Sequence, residues 1–392
     1  MAASLKTMPG DGLAIKARGN GVAGAGKGAI FSIGSPDPSV MEQTCLHEGF
    51  SDWNELLRLG QRFMEKFTTL LPEVLEDRDP ESVHKVRVVC RRLEQILWLI
   101  YAKPQPAYAR KLRKRIKRCR QMLGDLADCD ILMKMANRSL ARAPAGGAVA
   151  WHTLAQFIQQ RREKILPRVV GKVSQIEFST PYARLRRGLK KNGVRPHVYH
   201  DGKFQKLTPE KAEKLIQQRI VDSLAHLWRD FESLVEESHD DPCEQVIHGL
   251  RIATKRLRHM VEIMKNLGTP GASEVLPALR ALQKALGRWH DMEVLEQVTS
   301  ELLVQKKFVR DHLELAIEIE QLFLRNREIK RSSEEKFRLM TVNSRDYREI
   351  KTWVAENLPG RFLRGSAAGN HAPSVAAPLG VGSIAVNGNG RR

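Results

Sequence analysis

One stretch of this sequence occurs twice. Aligning "VHKVRVVCRRLE" with "IHGLRIATKRLR" places His84 on His248 and Arg87 on Arg251. The segment that follows each copy repeats as well, because "LGDLADCDIL" in the first half matches "LGRWHDMEVL" in the second. A pair of segments that recurs in the same order indicates two similar structural units joined in tandem.

Both repeated segments have the hydrophobic spacing of amphipathic helices. In the first copy, the apolar side of the earlier helix is made of Val86, Cys90, Leu93 and Leu97. The apolar faces of the later helices are made of Leu112, Ile116, Cys119, Leu123 and Leu126 in one copy, and of Val275, Leu279, Leu282, Leu286 and Trp289 in the other. Aromatic residues make up only 6% of the chain, which favours helix over sheet. We therefore expect an all-α protein, with two tandem antiparallel four-helix bundles related by a pseudo-two-fold axis.

Periodic segments and helix breakers divide the chain into parts. Helices are predicted near 50–70, 80–101, 107–140, 150–172, 180–191, 209–237, 242–266, 273–303, 309–332 and 345–358. Gly, Ala, Ser and Pro dominate both ends, so residues 1–45 and 361–392 are predicted to be flexible tails. The first bundle is predicted at 46–205 and the second at 206–360, with residues 192–209 as the connector.

An aspartate followed by a proline precedes the earlier helix of each copy. Asp79 and Asp241 suit the N-cap position, and Pro80 and Pro242 suit the first helical position. Metal-ligand residue types also meet near the second copy, at His239, Asp240, Asp241 and Cys243. Two of these four have no counterpart in the first copy, so we expect helix capping and no metal site.

The charge of the chain is strongly basic and unevenly distributed. Its formal charge is +20, from 65 Lys and Arg against 45 Asp and Glu. Between His84 and Arg120 there are thirteen Lys or Arg and one acidic residue, Glu94. The second copy carries a basic stripe of about three helical turns, made of His248, Arg251, Lys255 and Arg258. Such a field favours a polyanionic partner.

Several other classes of protein are disfavoured. The basic helices carry Leu and Ile core stripes rather than a Trp- and Phe-rich face, so membrane binding is not expected. No apolar run approaches the roughly 18 residues that span a bilayer, and no secretory signal is apparent. The five cysteines form no C-x-x-C pair, which is typical of reduced thiols. We expect a cytoplasmic protein.

The repeated motifs resemble those of a known family, the conserved histidine α-helical domain, abbreviated CHAD. The family pattern is H-x-x-R-V-x-x-[RK]-R-L-[RK] followed by L-G-x-x-[RHN]-D-x-x-V, with both motifs repeated. "HKVRVVCRRLE" with "LGDLADCDIL", and "HGLRIATKRLR" with "LGRWHDMEVL", match this pattern. Glu94 departs from it, because the family usually has a basic residue there. The resemblance covers residues 46–360.

The resemblance implies a basic central groove that binds inorganic polyphosphate, with no cofactor and no catalytic activity. The binding residues implied at the matched positions are His84, Arg87, Arg91, Arg92, His248, Arg251, Lys255, Arg256 and Arg258. Weaker candidates on the neighbouring helices are Lys117, Arg162, Arg280, Lys284 and Arg327. Association with polyphosphate granules is a further expectation from the resemblance. The sequence does not indicate the oligomeric state.

Two other functions stay open. Nucleic-acid binding agrees equally well with the net charge, but the basic stripes lack the interleaved aromatic residues on which bases stack. A phosphoryl-transfer or hydrolysing enzyme would use His84 or His248 as acceptor or acid–base group. No paired carboxylates with metal-ligand spacing accompany these histidines, so we expect a binding protein and not an enzyme.

Overall fold

Helices account for nearly all of the described structure, which confirms the all-α prediction. The computed structural model describes residues 51–76, 79–101, 105–143, 145–190, 197–200, 203–342 and 344–358. The predicted flexible tails, 1–45 and 361–392, lie outside these residues. Within the described ranges, no helix is both long enough and apolar enough to cross a membrane.

The helices fall into a first half and a second half on either side of the connector. The first half contains α1 (Ser51–Glu76), α2 (Pro80–Ile100), α3 (Ala107–Met122), α4 (Gly124–Leu140), α5 (Ala145–Ser174) and α6 (Ser179–Lys190). The second half contains α7 (Pro209–Asp240), α8 (Glu244–Asn266), α9 (Ala272–Leu303), α10 (Lys306–Asp311), α11 (Leu313–Val342) and α12 (Arg345–Asn357). The repeated helices are therefore α2 and α8, followed by α3 with α4 and by α9.

The predicted connector contains a short antiparallel hairpin. Strand β1 (His197–His200) pairs with β2 (Lys203–Lys206), with His197 opposite Lys206. The sequence predicts no secondary structure in this segment, so the hairpin is a small exception within an otherwise helical chain.

Two predicted helices are interrupted in the structure. The helix predicted at 107–140 is α3 and α4, because Leu123 between them leaves the helical conformation, with φ −78° and ψ 3°. The helix predicted at 309–332 is the short α10 followed by α11, which extends ten residues further, to Val342. The equivalent of the first break is missing from the second half, where α9 runs continuously past Gly287.

The predicted apolar faces form the core of each half. On α2, Val86, Cys90, Leu93 and Leu97 are all buried, and α2 packs against α1 and α3. The faces predicted for the later helices are buried in both copies. In the second half, α8 packs between α7 and α9 in the same way.

A hydrophobic cluster joins the two halves. Its members are Cys129, Leu132, Ala136, Ala150, Leu154, Ala155 and Ile158 from α4 and α5, with Leu295, Val298, Leu302, Ile319 and Leu322 from α9 and α11. At another point of contact, Arg219 of α7 donates to the carbonyl oxygens of Leu99 and Ile100 at 3.2 and 3.1 Å. These carbonyls end α2 and have no partner within the helix, so Arg219 satisfies them. The pseudo-two-fold axis stays a prediction.

The two copies begin their earlier helices differently. Asp79 is the N-cap of α2, since its Oδ2 accepts a hydrogen bond from the Ser82 amide at 2.8 Å, and Pro80 is the first helical residue. The same prediction for Asp241 is wrong. Helix α7 continues to Asp240, so Asp241 lies at its C-terminal end and its amide donates to the Glu237 carbonyl at 2.9 Å. The N-cap of α8 is Cys243, whose side chain makes no capping hydrogen bond.

Candidate anion-binding site

The basic stripes of α2 and α8 approach each other where the two halves meet. The i, i+4 spacing places Arg87 and Arg91 one turn apart on α2, and Arg251 and Lys255 one turn apart on α8. The charges of both arginines of α2 act directly on Lys255. We call Arg87, Arg91, Arg251 and Lys255 the junction cations.

Burial and mutual repulsion perturb the junction cations. Burial, together with the charges of Arg251, Arg91 and Arg87, lowers the pKa of Lys255 to about 6. Burial also lowers the pKa of Arg91 and of Arg251 to about 10. Low-dielectric surroundings and nearby like charges both disfavour the cationic form. The site therefore holds positive charge at a cost in folding free energy.

Three of the four junction cations form no direct ion pair within the described residues. Arg91, Arg251 and Lys255 form no salt bridge or hydrogen bond with any residue that the structure describes, and the Nε atom of Arg251 is buried without an acceptor. Arg87 differs, because its Nη1 donates to the Gly124 carbonyl at 3.4 Å and lies 3.7 Å from Oδ1 of Asp128. A buried N–H donor without an acceptor is unfavourable. The arrangement is suited to receive an anion.

Two carboxylates from the repeated L-G-x-x-x-D motif border the junction cations. Burial raises the pKa of Asp291 to about 6, although the charges of Arg251 and Lys255 oppose this shift. Burial also raises the pKa of Asp128, against the charges of Arg87 and Arg251. The sequence did not predict either aspartate as a site residue, although their matching positions in the two copies could have indicated that both belong to the site.

Three histidines lie beside the junction cations. The side chains of His84 and His248 are accessible to solvent, but neighbouring residues cover part of each ring. This partial desolvation lowers the pKa of both. The ring of His248 lies 5.7 Å, centroid to centroid, from the ring of His290. Burial and the charges of Arg251 and Lys255 lower the pKa of His290 to about 2. His290 is neutral in the free protein at physiological pH and was not predicted as a site residue.

Arg92 and Arg258 belong to a separate ion-pair network around Glu262. The Nη2 atom of Arg92 lies 3.2 Å from Oε2 of Glu262, which links α2 to α8. Arg258 donates to Glu262 and to Gln283. The buried His259 completes the network, with its Nδ1 3.1 Å from Oε2 of Glu262. These two predicted site residues therefore already pair with Glu262, and the Arg92 pair links the first half to the second, whereas Arg258 bonds within the second half.

The first copy replaces part of this network. Glu94, which aligns with Arg258, accepts hydrogen bonds from Nε and Nη2 of Arg120 at 2.9 and 3.3 Å. The acidic departure from the family pattern is thus neutralised within the first half by a residue of α3.

The remaining predicted site residues lie outside the junction. Arg162 donates to the buried carboxylate of Asp130 at 2.6 Å. The guanidinium of Arg327 lies 4.6 Å from the ring centroid of Phe323 on the same helix. The other four are exposed and are not among the charges that most affect the junction cations: Lys117, Arg256, Arg280 and Lys284.

The chain was compared with known proteins and structures. A family model described as CHAD domain matches residues 59–300, which include both repeats and all four junction cations. The crystal structure of the CHAD domain from the plant Ricinus communis matches with a TM-score of 0.50 and 21% sequence identity, covering 76% of this chain and 94% of that chain. At that identity the likeness shows the fold alone. The comparison with curated proteins found no match. Because the family model covers more than half of its residues, the chain belongs to the CHAD domain family.

Proposed function

We propose that the junction cations bind inorganic polyphosphate. Membership of the CHAD family supports a polyphosphate-related role. The observation that carries the finer proposal is the meeting of Arg91, Arg251 and Lys255, which come from two halves and have no salt bridge within the described residues. Clusters of perturbed charges of this kind occur preferentially at functional sites.

The chemistry of the four side chains suits a thread of phosphates. Each phosphate of the polymer carries about one negative charge and presents oxygens that accept hydrogen bonds. Arginine offers a planar pair of donors to two oxygens, whereas lysine offers a mobile point charge, so a mixed set accommodates a flexible chain. Because the four side chains are half-buried, each contact forms where the effective dielectric constant is lower than in bulk water, which strengthens it. The ligand adds counter-charge that Asp128 and Asp291 supply only in part.

The outer face of α3 supports capture of the same ligand. Arg110, Lys111, Lys114, Lys117 and Arg118 are all exposed there. Exposed charges contribute little affinity individually, but together they attract a polyanion over several ångströms and raise its rate of association.

Nucleic acid is the competing ligand. Within the described residues, no junction cation lies over the ring of a Phe, Tyr or Trp, although Arg92, Arg113, Arg327, Lys330 and Lys351 do. Sequence-tolerant binding of single strands uses stacking of bases on aromatic rings. The site therefore favours a phosphate chain without bases. A binding protein without enzymatic activity, in the cytoplasm and at polyphosphate granules, stays our prediction.

A pair of matched variants tests the proposal. One variant replaces the four junction cations with Gln, and the other replaces Arg110, Lys111, Lys114 and Arg118, which are exposed and have no salt bridge with a described residue. Arg113 and Arg115 are unsuitable for the control, since Arg113 bonds to Gln105 and Arg115 pairs with Glu177. Both variants lose four basic side chains.

The junction variant should lose at least about a hundredfold in affinity for labelled long-chain polyphosphate, or about 2.7 kcal/mol, and the control less than about tenfold. Fluorescence anisotropy at physiological salt measures both, after circular dichroism has shown that both variants are helical. Equal losses would reduce the site to a diffuse basic surface. Stronger displacement of the label by duplex DNA or RNA than by unlabelled polyphosphate, at equal charge, would make nucleic acid the ligand.

A further inference from the structure

A cavity lies near the end of α4 that is farther from the junction cations. It has a volume of about 530 Å³ and is lined by the end of α4, the beginning of α5 and the middle of α11. Asp128, beside the junction, and Arg138, beside the cavity, are ten residues apart on α4, so about 15 Å of helix separates the two places. The volume is in the range of small-molecule sites.

Three arginines surround this cavity. Arg138 lies in the last turn of α4, Arg142 lies just after the end of that helix, and Arg325 comes from α11. All three are exposed, and none forms a salt bridge with another residue in the described part of the chain. Gly147, in the first turn of α5, lines the same cavity. This side of the cavity is suited to a phosphate group, which arginine binds through paired hydrogen bonds.

The cavity wall also contains an aromatic ring. Trp151 is half-buried, packs against the hydrophobic cluster that joins the halves, and lines the cavity. Packing against the cluster holds the indole in place, and a fixed indole face is a good surface for a flat ring. A ligand made only of phosphates has no flat ring that could stack on this indole.

A carboxylate without a hydrogen-bond donor completes the wall. Glu318 of α11 lines the cavity, and its buried Oε2 has no hydrogen-bond partner in the described structure. A buried acceptor without a donor is unfavourable and needs a physical reason. Rotating a glutamate carboxylate about its terminal bond costs little energy, so either of its oxygens can turn toward a ligand.

We propose that this cavity binds a guanine nucleotide. The phosphates lie against Arg138, Arg142 and Arg325, and the base lies against Trp151. The base edge donates its N1–H and its exocyclic amino group to Glu318. These two neighbouring donors match the two oxygens of one carboxylate. Adenine has an acceptor at N1 beside its amino group, so the carboxylate discriminates against it.

Competition on the full chain tests the proposal. The probe is GDP carrying a fluorescent methylanthraniloyl group on the ribose, displaced by unlabelled GDP, ADP or inorganic pyrophosphate. GDP should compete at least about tenfold better than ADP or pyrophosphate. Glu318→Gln should bring the GDP and ADP affinities to within about threefold of each other. Arg138→Gln combined with Arg325→Gln should weaken all three competitors.

Two further variants serve as controls. Arg168→Gln combined with Arg184→Gln removes two exposed arginines of α5 and α6 that have no salt bridge with a described residue, and should leave GDP binding unchanged. The junction variant should also retain GDP binding while losing polyphosphate, which separates this proposal from the proposed function.

Absence of GDP binding to the unaltered protein would overturn the proposal. So would equal competition by pyrophosphate, an unchanged preference for GDP over ADP in Glu318→Gln, or loss of GDP binding in the junction variant. Glu318→Gln removes a charge that has no described partner, and a melting curve checks that it folds. If it does not fold, the competition on the unaltered protein decides.

Discussion

At the scale of single residues, Lys255 distinguishes this site from an ordinary basic surface. A surface lysine stays protonated far above neutral pH, but burial and three arginine charges lower the pKa of Lys255 to about 6. Much of its charge is therefore missing from the free protein at neutral pH. A bound polyanion favours the protonated amine, so binding and proton uptake are linked.

Polyphosphate affinity should consequently rise as the pH falls from 8 to 6. Lys255 has a pKa of about 6 in the free protein and a higher one beside phosphate, so between these two values the complex holds more protons than the free protein. Asp291 contributes in the same direction, because a bound anion raises its pKa further above 6. Titration calorimetry in two buffers of different ionisation enthalpy should show net uptake of about one proton at pH 7.

A charge-retaining variant identifies the group responsible. Lys255→Arg keeps a cation whose pKa stays high, so it should reduce the proton uptake and flatten the pH dependence. His84→Gln combined with His248→Gln should remove only the smaller part of the response. A full pH slope in Lys255→Arg would assign the response to Asp291 or to the histidines.

At the scale of elements, α2 and α8 are unequal copies because their N-termini are capped differently. Asp79→Ala removes the hydrogen bond to the Ser82 amide and should lower the free energy of unfolding. Cys243→Ser supplies a hydroxyl where no side chain caps α8, and should raise it by about 0.5 kcal/mol. Urea unfolding followed by circular dichroism measures both changes.

Asp79→Asn is the matched control for this prediction. Asparagine keeps the acceptor but not the charge, so Asp79→Asn should lose much less stability than Asp79→Ala. A loss as large as that of Asp79→Ala would mean that the charge at the helix N-terminus, and not the hydrogen bond, stabilises α2.

Helices were predictable from the sequence wherever a buried apolar face determines that a helix forms. The buried faces of α2 and α9 follow from the spacing of Leu, Val and Ile, since burial of such a stripe dominates the stability of a helix. The breaks were not predictable. Gly124 and Gly287 occupy the same place in the two copies, but Leu123 bends the chain in one copy and α9 continues through the other. Packing against neighbouring elements, which the sequence does not reveal, decides between these outcomes.

The site was predictable only in part for a related reason. The repeated motif identifies Arg87, Arg91, Arg251 and Lys255 as residues of two matching basic stripes, one on each copy. It also includes Arg92, whose acceptor Glu262 lies on the other copy and becomes apparent only when the helices are packed. Arg258 is four residues before Glu262 on the same helix, so that pair was already readable from the spacing. Asp128 and Asp291 lie in the motif, yet a search for anion-binding residues passes over acidic ones.

At the scale of the whole molecule, the proposed site takes its residues from both halves. Arg87→Gln and Arg251→Gln remove charges from opposite walls of the same site, and each charge affects the other wall. Their effects on polyphosphate affinity should therefore be non-additive, with a coupling energy of about 0.5–3 kcal/mol in a double-mutant cycle.

Arg87→Gln combined with Lys114→Gln is the control cycle, because Lys114 is exposed on α3. The two effects should add to within about 0.5 kcal/mol. Additive losses for Arg87 and Arg251 would indicate that each half binds the polymer independently.

Because α2 and α8 belong to one chain, the two sides of the proposed site can be substituted independently of each other. In a symmetric pair of identical subunits, every substitution appears twice, so a charge altered on one wall is altered on the other. Here each position occurs once in the molecule. One copy pairs Glu94 with Arg120 while the other keeps Arg258 on Glu262, and only one copy has an aspartate cap. The linkage also fixes the effective concentration of one wall at the other, so the shared site does not come apart on dilution.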